Sequence, residues 1–198
     1  TYKKCELIIA EDGESIEMKD FINILKTEFS IKHTTQEDIG VRKAQSQNNG
    51  IRASTGEYLI FIDGDCIPYS TFIESHVILA EQGCVLSGRR VNLPEKITKK
   101  IKNKQLDPYS IEQNIFCYPS LMLDKTTRFE QGIYINPTSL IYQHFIANRS
   151  RNVSIIGCHF SCFRDDMIAI NGFDEDYGTS GVSDDVDLDW RFRAYGLK

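Results

Sequence analysis

Apolar positions change their period several times along this chain, and each change marks an element. Residues 4–10 form a short apolar run centred on Leu7, Ile8 and Ile9, the pattern of a buried strand. An acidic turn, Glu11-Asp12-Gly13-Glu14, ends it. From Ser15 the spacing becomes helical: Met18, Phe21, Ile22, Leu25 and Phe29 recur on one face and predict an amphipathic helix to about residue 29. Val41, Ala44, Asn48 and Ile51 carry a second helical pattern over residues 39–55, closed by Gly56. Gly50 lies inside it. A glycine there costs about 1 kcal/mol relative to alanine, so close packing or ligand approach is expected.

Tyr58-Leu59-Ile60-Phe61-Ile62 shows no alternation at all. Such a run predicts a strand covered on both faces, as in a parallel sheet between helices. A helix over 70–81 and a strand over 84–88 follow. Beyond Pro94 the pattern weakens until about residue 131. Residues 153–157 read as a strand and 163–171 as a short helix closed by Gly172. The last helix spans 184–195, with Leu188, Phe192 and Tyr195 on one face and Gly196 as its cap. Strands alternating with helices predict an α/β fold with a mostly parallel central sheet flanked by helices.

Composition narrows this picture. The 198 residues are 41% hydrophobic and 26% charged, which excludes disorder, collagen and coiled coil and fits one domain. The net charge of −5 argues against a nucleic-acid binder, which needs a basic surface. No apolar run approaches the roughly 20 residues of a membrane span. Lys96, Lys99, Lys100, Lys102 and Lys104 read as a solvated helix face; the sharper reading is peripheral contact with a phosphate group or an anionic membrane surface. Six scattered cysteines read as reduced, buried thiols of a cytoplasmic protein. Cys158-His159-x-x-Cys162 is their one cluster, and it lacks the second pair that a four-ligand zinc site wants. The four histidines are dispersed and read as surface or satisfied core residues.

Candidate chemistry is carboxylate chemistry. Asp63-Gly64-Asp65 follows the fully apolar strand, and ligands of open α/β sheets bind at the carboxyl ends of strands. Two acids two residues apart on a strand point to one side, and a hard cation such as Mg²⁺ or Mn²⁺ would offset their repulsion. Asp-Gly-Asp is also ordinary turn chemistry. Asp184-Asp185-Val186-Asp187-Leu188-Asp189 opens the last helix with more acids than capping needs; one of them suits a general base. A carboxylate of Glu11-Asp12-Gly13, after the first strand, suits contact with a nucleobase or ribose; read alone, the segment is a turn.

Three segments together resemble family 2 glycosyltransferases of the GT-A fold. They are Glu6-Leu7-Ile8-Ile9-Ala10-Glu11-Asp12-Gly13; the stretch from Asn48-Asn49-Gly50 through Gly56-Glu57-Tyr58 to Asp63-Gly64-Asp65; and Phe160 to Arg164, Asn171-Gly172-Phe173-Asp174-Glu175 and Asp184 to Arg191. The resemblance implies a nucleotide-sugar-binding half (1–93) and an acceptor-binding half (94–198) of one catalytic domain. It implies that Asp12 meets the uracil or ribose of a UDP-sugar, Asp63 approaches the ribose and Asp65 ligates a Mn²⁺ or Mg²⁺ on the diphosphate. Asp185 would be the base, with Asp184 and Trp190 on the acceptor. The activity implied is inverting hexosyl or N-acetylhexosaminyl transfer to a saccharide or lipid-linked acceptor in bacterial surface-polysaccharide synthesis, in the cytoplasm or at the inner membrane face. Departures are Asp184 where the family has Glu, Gln47 where it has Arg, the loop 178–183, and an apparently missing first strand, which makes the chain look like part of a longer protein. A catalytically idle nucleotide-sugar-binding module is the alternative; a nucleotidyltransferase is a third, lacking its glycine-rich loop.

Overall fold

A computed structural model describes residues 2–147, 154–177 and 184–198. The chain divides into two compact units. Unit 1 comprises Thr1–Ile60, Ala80–Leu86 and Ser161–Lys198; unit 2 comprises Phe61–Leu79 and Ser87–Phe160.

In unit 1, β1 (Glu6–Ala10) runs parallel to β2 (Ser30–Thr34), with Glu6 opposite Ser30 and Ala10 opposite Thr34. Parallel strands need a crossover, and α1 (Ile16–Ile24) supplies it. Ser15 starts α1 by accepting a hydrogen bond from Met18 N at 3.2 Å. The helix stops at Ile24, short of the expected residue 29, because Leu25 turns extended to feed β2. β2 (Ser-Ile-Lys-His-Thr) has too few apolar residues to announce itself. β1 was expected to be buried, yet none of its residues is; Leu7 is 38% exposed, and among the described residues β1 pairs with β2 in a two-stranded sheet.

α2 (Lys43–Ala53) starts four residues later than its apolar spacing suggests and buries Ala44, Ser46, Asn48 and Ile51. Gly50 packs closely, as expected: a Cβ there would sit 3.3 Å from the Ala10 side chain. Asn48 is the polar anchor. Its Nδ2 donates to Phe173 O (2.9 Å) and Glu175 Oε1 (2.8 Å), and its Oδ1 accepts from Phe173 N (2.9 Å). Asn48→Ala removes three hydrogen bonds, to Phe173 O, Phe173 N and Glu175 Oε1, so a loss of about 2–4 kcal/mol in urea unfolding is expected. A loss below about 0.5 kcal/mol would show that water replaces the amide.

β3 (Tyr58–Ile62), β4 (Leu86–Ser87) and β5 (His159–Phe163) form a sheet in the order β3-β5-β4. In β3 only Leu59 is buried, so the strand is less covered than its uniform apolarity implies. β4 is shorter than the expected 84–88. The strand expected at 153–157 is absent from its described residues; the strand is β5, where Phe160, Ser161 and Cys162 are buried. Val153 lies outside the described residues, as does the loop 178–183. α8 (Arg164–Ala169) and α9 (Asp184–Tyr195) belong to unit 1. Leu188 and Phe192 are buried as expected, but Tyr195, in the last turn, is 55% exposed.

In unit 2, α3 (Phe72–Leu79) precedes a small helical core. α4 (Glu95–Lys102) and α5 (Pro108–Gln113) close on it, with α6 (Pro119–Leu123) and α7 (Leu140–Phe145) following. Ile97, Ile111, Ile115 and Leu121 are its centre. The lysines of α4 are exposed, the solvated face expected, and Lys99 pairs with Glu95 at 2.6 Å. All six cysteines are free. Cys158 and Cys162 alone are buried; Cys117 is exposed and the others are intermediate, which corrects the expectation of six buried thiols.

Candidate active site

In unit 1 the turn after β1 gives Glu11 and Asp12 different tasks. Glu11 is used by the fold: it accepts from Ser15 N at 3.0 Å and meets His33 Nε2 at 2.9 Å. Asp12 sits in a polar web. Gln36 Nε2 donates to its Oδ1 and Arg42 N to its Oδ2, each at 2.6 Å. Asn49 Nδ2 in turn donates to Gln36 Oε1 at 3.1 Å. Each carboxylate oxygen keeps acceptor capacity for a further donor. Gln36 and Asn49 gave no signal in the sequence.

The acidic string of α9 separates into two pairs. Asp187 binds Arg191 and Asp189 binds Arg193, both one helical turn on. Arg191 also donates to Ile170 O (2.9 Å) and Gly172 O (2.6 Å), so that ion pair fastens α9 to the end of α8. Asp184 and Asp185 remain. Asp185 N donates to Asp184 Oδ1 at 3.1 Å. Burial pushes the Asp184 carboxyl above the usual range, the Asp185 side chain adds to this, and Lys43 pulls the other way. Trp190 is 67% exposed.

A carboxyl with a raised pKa binds more protons folded than unfolded. Its contribution to stability is therefore present below the ordinary aspartate range and lost as pH rises through the folded value. Asp184→Asn is expected to raise the urea midpoint at pH 7, with the gain fading toward pH 4. A variant that is equally stable or weaker at pH 7 would contradict the burial strain.

Asp63 and Asp65 lie in unit 2. The strand ends at Ile62, so both acids sit in the following turn, closed by Cys66 N donating to Asp63 O at 3.0 Å. Strand alternation therefore does not orient them. Gly64 breaks the pleat first. Asp63 is partly buried, with its N–H donating to Cys158 O at 3.3 Å; Asp65 is exposed. Asp65 and Cys66 line a cavity of about 1160 Å³ within unit 2. Burial, with Cys158 and the two aspartates adding, pushes the Cys66 thiol up to about 11. It stays protonated at neutral pH.

The same cavity carries a histidine pair that sequence reading left as dispersed residues. His76 Nε2 and His159 Nε2 are 2.7 Å apart, and His159 Nδ1 meets Arg89 O at 3.1 Å. A carbonyl only accepts, so Nδ1 of His159 holds the proton and its Nε2 accepts from His76. Burial pushes His76 down to about 4, with His159 adding, and burial lowers His159 too. Both rings are neutral at physiological pH, and Phe72 packs on each with centroids 4.9 Å apart. An 83-residue separation gives no local signal for such a pair. Among the described residues no group of three or more His, Cys, Asp or Glu side chains could hold a metal ion, and no helix is long and apolar enough to cross a membrane.

With an αβ fold and these carboxylates in hand, the chain's class follows: residues 1–164 match the model of glycosyl transferase family 2, and the chain belongs to that family, with its GT-A fold. Curated relatives carry enzyme names. The chain is 22% identical to a hyaluronan synthase of Pasteurella multocida, over 99% of its own length and 20% of that protein. It is 21% identical to a validoxylamine A glucosyltransferase of Streptomyces hygroscopicus subsp. jinggangensis, over 97% of its length and 44% of the relative. A chondroitin synthase of Escherichia coli is 27% identical over 37% of the chain and 11% of that protein. The chain thus spans less than half the length of these relatives. Sugar transfer, in proteins that include polysaccharide synthases, is the chemistry they share by name.

Proposed function

We propose that the chain carries the core of an inverting, metal-dependent glycosyltransferase. It takes a hexosyl or N-acetylhexosaminyl unit from a nucleotide-diphosphate donor, UDP-linked, and delivers it to a hydroxyl of a saccharide or lipid-linked acceptor during polysaccharide synthesis. The observation that carries this reading, within family 2, is the exposed Asp65 carboxylate on the wall of a cavity of about 1160 Å³.

The residues present fit a hard divalent ion. Such ions bind through one or two carboxylates and fill their remaining positions with water and substrate phosphates, so a set of three protein ligands is not required. Asp65 would hold Mg²⁺ or Mn²⁺, hard ions that take carboxylate oxygen in preference to the sulfur of Cys66. When bound, the ion supplies positive charge that offsets the leaving diphosphate. Asp12 holds the nucleoside and Asp63 the ribose. Asp185 takes the proton of the acceptor hydroxyl as its oxygen attacks the anomeric carbon, and a base acting on a separate acceptor gives inversion. Asp184 and the exposed indole of Trp190 hold the acceptor; an open aromatic face suits a sugar ring. In this reading residues 1–93 serve the donor and 94–198 the acceptor, in the cytoplasm, and the exposed lysines of α4 suit peripheral contact with an anionic inner membrane face.

Titrating UDP into the protein with Mn²⁺ present tests the donor assignment. Asp65→Ala is expected to weaken UDP about tenfold or more, a change of about 1.4 kcal/mol. Unchanged affinity in that variant would overturn it.

A further inference from the structure

Cys66 and Cys158 are distant in sequence and meet in unit 2. The two thiols lie within hydrogen-bonding reach of each other. The backbone holds them there. Cys66 N donates to Asp63 O at 3.0 Å, and Asp63 N donates to Cys158 O at 3.3 Å, so the turn after β3 is tied to the residue before β5. The Arg90 guanidinium donates to Cys158, and Cys66 and Asp63 are near enough to feel its charge. A cation beside a sulfur is the setting in which thiols attack.

Bonding these sulfurs would move the turn. A covalent bond is shorter than any hydrogen-bonded sulfur contact, so one sulfur has to shift. Cys158 is 3% exposed, and its neighbour His159 is held on both sides: its N donates to Ile156 O at 2.9 Å and its O accepts from Gly88 N at 2.8 Å. Cys66 is partly exposed and sits in the turn, so Cys66 yields. Asp65 precedes it in the chain and goes with it. The Cys66 thiol, which lies 3.8 Å from Asp65 Oδ1, is consumed at the same time.

We infer that Cys66 and Cys158 form a reversible, peroxide-driven disulfide switch on the turn that carries Asp65. The Cys66 sulfur attacks a peroxide oxygen; the O–O bond breaks, one water leaves and a sulfenic acid remains. The Cys158 sulfur then attacks the Cys66 sulfur; the S–O bond breaks, a second water leaves and the disulfide forms. Each water carries away one thiol proton. A second sulfur already in contact captures the sulfenic acid before it oxidises further. A dithiol restores both thiols by exchange. In a reducing compartment such a pair rests as thiols and bridges transiently. The bridge stands on the thiol contact; only its effect on the donor rests on the glycosyltransferase reading.

Graded hydrogen peroxide tests it, followed by removal of the peroxide, blocking of free thiols and peptide mapping without reductant. A peptide joining Cys66 to Cys158 is expected, lost on adding dithiothreitol and absent from Cys66→Ser. Hydrogen exchange over residues 63–67 should slow in the bridged protein. UDP binding with Mn²⁺ should weaken about threefold or more, because a displaced turn misplaces Asp65, and should return with dithiothreitol. Cys66→Ser should hold its UDP affinity through the same treatment. The inference is overturned if no Cys66–Cys158 peptide forms at any dose, if either cysteine bridges elsewhere instead, or if the bridged protein binds UDP as the reduced one does. A reduced protein that binds no UDP sinks the donor reading. The switch is then decided by exchange over 63–67: slowing on bridging upholds it, and no change overturns it.

Discussion

Asp185→Asn is expected to slow sugar transfer about 10²- to 10⁴-fold while leaving UDP affinity within about twofold, the range that loss of a positioned general base produces. Asn keeps the size of the side chain and its ability to accept a hydrogen bond, but it cannot take a proton. The substitution also leaves in place the Asp185 N to Asp184 Oδ1 hydrogen bond, which uses the backbone. A fall in kcat with little change in KM for the donor is therefore the expected signature. Asp184→Asn separates the two acids. Asn keeps the size and the hydrogen-bonding atoms of the Asp184 side chain and removes only its charge, so its effect is expected on acceptor KM more than on kcat. Full turnover by Asp185→Asn would move the base to another residue.

What the sequence made legible was whatever a local period encodes. The uniform apolar run at Tyr58–Ile62 marked β3, and the spacing of Leu188 and Phe192 with Gly196 behind them marked α9 and its end at Tyr195. β2 escaped because Ser30–Thr34 carries one aliphatic residue and owes its strand to pairing with β1. The core around Ile97, Ile111, Ile115 and Leu121 escaped because it is assembled from short helices, each with a single buried position or two. Side-chain roles divided the same way. The acid excess at the start of α9 was visible, but which acids were already paired was not; Arg191 and Arg193 decide that one turn later. Gln36 on Asp12, and His76 on His159, are contacts across 24 and 83 residues that no spacing rule reaches.

Gly88→Ala is expected to be among the most damaging single substitutions in unit 2. A Cβ at Gly88 would lie 2.0 Å from Cε1 and Nδ1 of the His159 ring and 2.2 Å from its Cγ, well inside contact distance. The cost depends on whether the ring can leave, and three restraints say it cannot do so cheaply. Nδ1 donates to Arg89 O, Nε2 accepts from His76, and Phe72 packs on both rings. The backbone cannot yield instead, because Gly88 N donates to His159 O at 2.8 Å and so ties the two residues together. Displacing the ring breaks its hydrogen bonds with the buried His76 and with Arg89 O. Overpacking with the lost hydrogen bonds gives an expected loss of about 3–5 kcal/mol in urea unfolding. The clash has a specific remedy. His159→Ala alone should destabilise through its cavity and the lost contacts with His76 and Phe72. Added to Gly88→Ala, it should cost far less than the sum of the two, because the methyl then occupies space the ring has vacated. Additive losses in that double-mutant cycle would show that Gly88 is constrained by something other than the imidazole.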